Sequence, residues 1–266
     1  MNYKVNVLKL GRFQVPNWEV FWMSRFNVPE NSEPLPLTLN MVVIQGGGKT
    51  AIVNTGPSKE MIPVLDAKWR KLFGENAGLH VDESEYPENA LATLGIKPED
   101  VDYVFLTPFQ AYSVGNVNMF GNAKICVSKK GWKLLMAPEW KKHPHDFPRQ
   151  SCIPDENFNY LVGEAWDRLV LLEDEDTVED GLSVFWSGVH HRASMCIKAE
   201  TKTGAMITSD SFFYEENVLE RWPIGINESM YEALECYERV ASEARHIIPL
   251  YDPKVFDKYP GGVVAE

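Results

Sequence analysis

Leu94-Gly95-Ile96-Lys97-Pro98-Glu99-Asp100-Val101-Asp102-Tyr103-Val104-Phe105-Leu106-Thr107 is the stretch on which the fold turns. Gly95 closes a helix that follows Pro87, and Pro98 with its acidic neighbours makes a polar turn. The apolar run from Asp102 to Thr107 then has the length and composition of a buried strand. A second such run, Ala123-Lys124-Ile125-Cys126-Val127, lies one loop further on, and that loop holds Pro108, Gln110, Tyr112 and Gly115. Polar residues therefore collect just after the first strand.

Upstream, Met41-Val42-Val43-Ile44 and Ala51-Ile52-Val53 flank Gln45-Gly46-Gly47-Gly48-Lys49, two apolar strands joined by a glycine turn. Gly48-Lys49-Thr50 imitates the end of a phosphate-binding loop. The glycine required five positions earlier is Val43, and no helix follows directly, so a hairpin is the better reading. After Asn54-Thr55-Gly56-Pro57, Ser58 can cap a helix running to about Phe73, with Met61, Leu65, Trp69 and Leu72 on one apolar face.

Downstream the logic repeats. Leu182 to Trp186 is a strand, and Met195 to Ala199 pairs with Ala205 to Thr208 across a Thr-Lys-Thr-Gly turn. The strand ends again carry polar residues, Gly188-Val189-His190-His191-Arg192 and Ser209-Asp210-Ser211. A helix from Ser229, with Glu232 at the capping-box position, leads into His246-Ile247-Ile248-Pro249-Leu250 and then Tyr251-Asp252-Pro253. Hairpins followed by helices, twice over, predict an α/β protein: a four-layered αββα sandwich of two mixed β-sheets. No linker or repeat divides the chain, so residues 1–266 are expected to form a single domain. A helical cap insertion around 129–180 carries Trp132, Trp140, Phe147, Phe158, Tyr160 and Trp166. Those aromatics suit a lid, ordinary core packing or a homo-oligomer contact.

Composition narrows the function. The 266 residues include 26 Lys and Arg against 38 Asp and Glu, a net charge of −12, with 44% hydrophobic and 24% charged residues. That is a globular composition with an acidic surface, which disfavours nucleic acid and anionic lipid as partners and leaves a small molecule. Cys126, Cys152, Cys196 and Cys236 form no C-x-x-C pair and read as reduced thiols. No leader-like start and no apolar run of membrane-spanning length is seen, which predicts a cytoplasmic location.

Several segments together resemble the metallo-β-lactamase superfamily, particularly its lactonase-like and glyoxalase-II-like hydrolases. Val53-Asn54-Thr55-Gly56 is similar to the family's V-D-T-G turn, Leu94 to Asp102 to its lead into the metal strand, and Phe120-Gly121-Asn122-Ala123-Lys124-Ile125 to its F-p-n-A-x-I. The likeness spans nearly the whole chain. Where the family has H-x-H-x-D-H, this sequence reads Pro108-Phe109-Gln110-Ala111-Tyr112-Ser113. The family's later histidine falls on His190, its bridging aspartate on Asp210 and its final histidine on Tyr251, so two of seven ligands remain. His143-Pro144-His145-Asp146 imitates part of the hallmark, but Phe147 and Pro148 occupy its Asp and His slots, so it reads as a solvated loop.

A catalytic zinc needs about three side-chain ligands and an open position, which His190 and Asp210 alone do not supply. A rebuilt site for one divalent metal, zinc, iron or manganese, could recruit His191, Tyr251 or Gln110. Without a metal, His190 reads as a general base oriented by Asp210, and Tyr112 and Tyr251 as phenols that donate to a developing oxyanion. Gln110 suits a neutral carbonyl or hydroxyl. Ser113 with His190 and Asp210 supplies the residue types of a nucleophilic triad, without the G-x-S-x-G elbow. Arg192, beside His191, could clamp a substrate carboxylate or pair with a protein acid. The resemblance implies hydrolysis of a small lactone or ester-like substrate. A metal-independent lyase, isomerase or decarboxylase and a non-catalytic binder stay open.

Overall fold

The computed structural model describes residues 2–22, 33–137 and 152–266. The long hairpin forms as expected. Strands β2 (Leu35–Gly46) and β3 (Lys49–Val53) pair antiparallel, Val42 opposite Val53 and Ile44 opposite Ala51. Gly47 and Gly48 between them take φ values of 61° and 74°, the left-handed pair that a two-residue hairpin turn requires. Strand β1 (Lys4–Val15) covers the other edge of β2, an element absent from the sequence expectations.

The remaining strands are β4 (Tyr103–Leu106), β5 (Lys124–Ser128), β6 (Leu169–Leu172), β7 (Glu175–Glu179), β8 (Leu182–Trp186), β9 (Met195–Thr201), β10 (Gly204–Ser209), β11 (His246–Pro249) and β12 (Val263–Ala265). Among the described residues they make a seven-stranded sheet, β12-β1-β2-β3-β4-β5-β6, and a five-stranded sheet, β11-β10-β9-β8-β7. Strands β3 to β6 run parallel, as do β10 and β11, while the other pairs are antiparallel, so both sheets are mixed. Val42, Ile52, Val104, Phe105 and Leu106 are fully buried, as central strands covered on both faces must be. With helices flanking the sheets, this is the α/β sandwich anticipated from sequence.

Helix boundaries follow local chemistry. Ser58 Oγ accepts from Met61 N at 3.4 Å, but the helix itself runs Ile62–Phe73, one turn later than Ser58 suggests, because Pro63 fits its first turn. Ser229 caps the helix Met230–Glu243 through Glu232 N at 3.3 Å. The Glu232 carboxylate makes no capping box, since it is taken by Arg192.

The segment 129–180 contributes helices Lys129–Met136 and Asp155–Val162 and then β6 and β7, the outer strands of the two sheets. Trp132 packs edge-on to Phe109 with centroids 6.0 Å apart, whereas Trp166 is exposed. Trp140, Phe147 and His143-Pro144-His145-Asp146 lie outside the described residues. Among the described residues no helix is long and apolar enough to cross a membrane.

Candidate functional site

The parallel strands of both sheets end at one edge of the sandwich, where a buried polar seam stitches them together. Asn54, following β3 with φ of 64°, donates from Nδ2 to Thr107 O at 2.7 Å and accepts from Thr107 N at 2.9 Å. The Thr107 hydroxyl then crosses to the second sheet: it donates to Asp210 Oδ1 and accepts from Met195 N at 2.9 Å. Ser194 Oγ donates to Asp210 Oδ2 at 2.5 Å. Burial raises the Asp210 carboxyl to about 6 against the lowering by these two hydroxyls.

His190 stands beside this seam with a different set of partners. Its Nδ1 donates to the Ile226 carbonyl at 3.0 Å, which leaves Nε2 as the basic nitrogen, facing the Tyr112 hydroxyl at 3.4 Å. The His191 ring lies 4.1 Å from that of His190, and Phe213 meets His190 edge-on at 5.1 Å. Tyr112 and Tyr251 sit 6.2 Å apart, also edge to face. Burial pushes both phenols well above their usual range, and the Asp210 charge raises each further, so both keep their protons.

These residues floor a cavity of about 140 Å³. Glu19, Lys68, Gln110, Tyr112, His190, His191 and Tyr251 supply its polar surface, and Phe13, Val15, Leu37, Trp69, Leu72, Phe73, Phe213 and Ile226 its apolar walls. Trp69 joins floor to wall, 5.8 Å from Tyr112 on one side and 4.4 Å from Phe13 on the other. A larger cleft of about 920 Å³ is lined by Lys9, Arg12, Arg70 and His80. Their side chains meet Glu85, Asp82, Asp66 and Asp82 respectively, so these four basic residues are engaged within the protein.

Five of the residues singled out from sequence thus converge: Gln110, Tyr112, His190, His191 and Tyr251. Three do other things. Asp210 shares no hydrogen bond with His190 among the described residues; the Ile226 carbonyl orients the imidazole, because both Asp210 oxygens already hold hydroxyls. Ser113 is buried and its Oγ makes no hydrogen bond to His190 or Asp210 among the described residues, so no Ser-His-Asp relay forms. Arg192 lies outside the pocket lining and grips Glu232 with bonds of 2.8, 3.0 and 3.1 Å, with Glu228 at 3.3 Å and the Trp186 ring beneath it. Its protein-acid alternative is the one realised. Sequence reading missed Phe13, Glu19, Trp69 and Phe213 as pocket residues; Trp69 carried a signal, but only as part of an apolar helix face.

The donor set does not fit a two-metal centre. Pro108 offers no side-chain donor, Gln110 is an amide that hydrogen-bonds towards Cys152 Sγ at 3.7 Å, and the two phenols stay protonated. Ser113 and Tyr251 are buried and offer neutral hydroxyls at positions where the family has imidazole ligands. Among the described residues no three His, Cys, Asp or Glu side chains gather as a metal site.

Two mixed sheets with flanking helices and a polar floor at the strand ends define the metallo-β-lactamase fold. Within that fold the chain is similar to lactone-cleaving enzymes. It is 22% identical over 234 residues to the N-acyl homoserine lactonase AiiB of Agrobacterium fabrum, spanning 82% of this chain and 80% of that protein. An N-acyl homoserine lactone hydrolase solved with N-hexanoyl-L-homoserine at its catalytic metal centre superposes with a TM-score of 0.75, at 16% identity and 97% coverage of both chains. The dizinc lactonase AidC gives 0.64 at 14% identity, covering 97% of this chain and 89% of its own. No family model matches the sequence.

Proposed function

We propose that this protein hydrolyses a small lactone or ester-like compound bearing an apolar substituent, using acid–base chemistry centred on His190. The observation that carries the reading is the basic Nε2 of His190, fixed by the Ile226 carbonyl, facing the Tyr112 hydroxyl on the floor of an apolar-walled pocket. The likeness to lactone-cleaving enzymes of the same fold supports the substrate class.

In this reading His190 Nε2 takes a proton from water as the water oxygen bonds to the carbonyl carbon, and the carbonyl electrons move onto its oxygen. The Tyr112 bond to Nε2 is long at 3.4 Å, so a ligand oxygen can compete for the phenol proton. The Tyr251 hydroxyl, on a ring that lines the same pocket, is a second donor for the oxyanion. On collapse the ring or ester C–O bond breaks, and the leaving oxygen recovers the proton from His190. The pairing of one imidazole and one phenol also suits proton transfer between carbons of a carbonyl compound, the chemistry of an isomerase or lyase, which consumes no water.

The test is a lactone and ester panel assayed on untagged protein whose metal content is measured in parallel. Turnover that survives chelation and falls about 10²- to 10⁴-fold in His190→Gln is expected. At least one equivalent of zinc, iron or manganese together with chelator-sensitive turnover would overturn the metal-independent mechanism. Inactivity across the panel in both metal-free and metal-supplemented protein would overturn hydrolysis.

A further inference from the structure

Glu19 is the one carboxyl group lining the pocket among the described residues, and it is only 4% exposed. Its Oε2 makes no hydrogen bond. The backbone around it is firmly docked: Glu19 N donates to Pro16 O at 2.9 Å, and Glu19 O accepts from Gly225 N at 2.8 Å. A side chain on Gly225 would collide with Trp18 O at 1.8 Å and with Glu19 Cα at 2.8 Å, so this approach needs the glycine. Glu19 lines the same cavity as Tyr112, His190 and Tyr251.

A buried carboxyl without a partner is costly, and native proteins keep very few such groups. Glu19 Oε2 is such an atom, and it belongs to the pocket lining. A leucine at position 19 would fill the same wall without that cost. The missing partner and the rigid placement point to a bond completed by something that enters the cavity.

We propose that the Glu19 carboxyl donates a hydrogen bond to the carbonyl or hydroxyl oxygen of an uncharged, apolar-tailed ligand. The proposal rests on the reading of this pocket as a carbonyl site and adds a recognition residue from outside the strand-end loops. Burial alone raises the Glu19 carboxyl to about 8, so near neutral pH it carries the proton it would donate. Phe13, Val15, Leu37, Trp69, Leu72 and Phe73 receive the tail.

The experiment compares γ-octalactone with butylcyclopentane, a hydrocarbon of similar shape without the oxygens, by tryptophan fluorescence titration and thermal shift. Glu19→Leu is expected to weaken the lactone at least tenfold, leave the hydrocarbon within twofold, and raise the melting temperature of the free protein. Glu19→Gln, which keeps a donor, should hold the lactone within about threefold. Wild-type affinity for the lactone should fall about tenfold per pH unit above pH 8, a fall missing in Glu19→Gln. Because Lys68, Tyr112, His190, His191 and Tyr251 also face the pocket, the pH effect is read as the difference between the two proteins.

Unchanged lactone binding in Glu19→Leu would overturn the proposal. So would equal weakening of both probes with a lowered melting temperature, the signature of a merely structural residue, or a wild-type protein that binds neither probe. Lactone bound but not hydrolysed would sink the hydrolase reading and leave this one standing. Hydrolysis and binding unaffected by Glu19→Leu would do the reverse.

Discussion

Thr107 and Asp210, 103 residues apart in the chain, share a hydrogen bond from hydroxyl to carboxylate that joins the end of one sheet to the end of the other. Asp210 also takes the Ser194 hydroxyl, so both of its oxygens serve the sandwich rather than the imidazole beside it. Removing the carboxylate takes a buried acceptor from two hydroxyls, those of Thr107 and Ser194. Asp210→Ala is therefore expected to lower unfolding free energy by about 2–4 kcal/mol, read from urea melts. Turnover of the folded fraction should fall far less than in His190→Gln. Equal kinetic losses in the two variants, with stability unchanged, would return Asp210 to the chemistry.

Arg192 gives a contrasting case. Its guanidinium is partly buried and held by Glu232 and Glu228 over Trp186, so Arg192→Ala should cost on the order of 1–2 kcal/mol of stability, the loss of a half-buried ion pair and its stacking. KM for a neutral lactone should be unchanged. A large rise in KM at unaltered stability would mean that the arginine reaches the substrate.

The difference between these two residues shows what the sequence could carry. Strand ends such as Thr107, Ser209 and Leu250 were legible because apolar runs stop there, and the resemblance then marked Gln110, Tyr112, His190 and Tyr251 as neighbours in space. Partner choice was not legible. Whether Asp210 meets His190 or Thr107 depends on how two sheets are offset, and no periodicity encodes that. Strand β1 was missed because Lys4, Asn6, Lys9 and Arg12 interrupt its apolar positions, as a strand with one wet face allows. Glu19 was missed because it belongs to no motif; a lone acid between Trp18 and Phe21 becomes noticeable only once the cavity beside it is seen.

The fixed tautomer of His190 yields a sharper kinetic expectation. With Nδ1 donating to the Ile226 carbonyl, Nε2 alone can act as base, so His190→Gln should lower kcat by about 10²- to 10⁴-fold while leaving melting temperature nearly unchanged. Tyr112→Phe removes one donor from the floor and should cost about tenfold to a hundredfold in kcat with little change in KM. If Tyr112→Phe instead raised KM alone, the phenol would be holding the ground state and not the oxyanion.

Glu19 leaves a signature in stability that needs no ligand at all. Its folded-state value of about 8 lies above the 4.5 of a free glutamate, so between those limits the folded protein holds a proton that the unfolded chain has released. The stabilising effect of that proton is complete below about pH 4.5 and is lost as pH rises through 8, at a slope of up to roughly 1.4 kcal/mol per pH unit for one group. Unfolding free energy of the wild type should thus decline across this window relative to Glu19→Gln, whose amide does not titrate. Lys68, Tyr112, His190, His191 and Tyr251 contribute equally to both proteins, so the difference curve isolates Glu19. Parallel curves from pH 5 to 8, measured by urea melts at half-unit steps, would show an ordinary glutamate that is ionised throughout, and the carboxyl would then have no proton to offer a ligand at neutral pH.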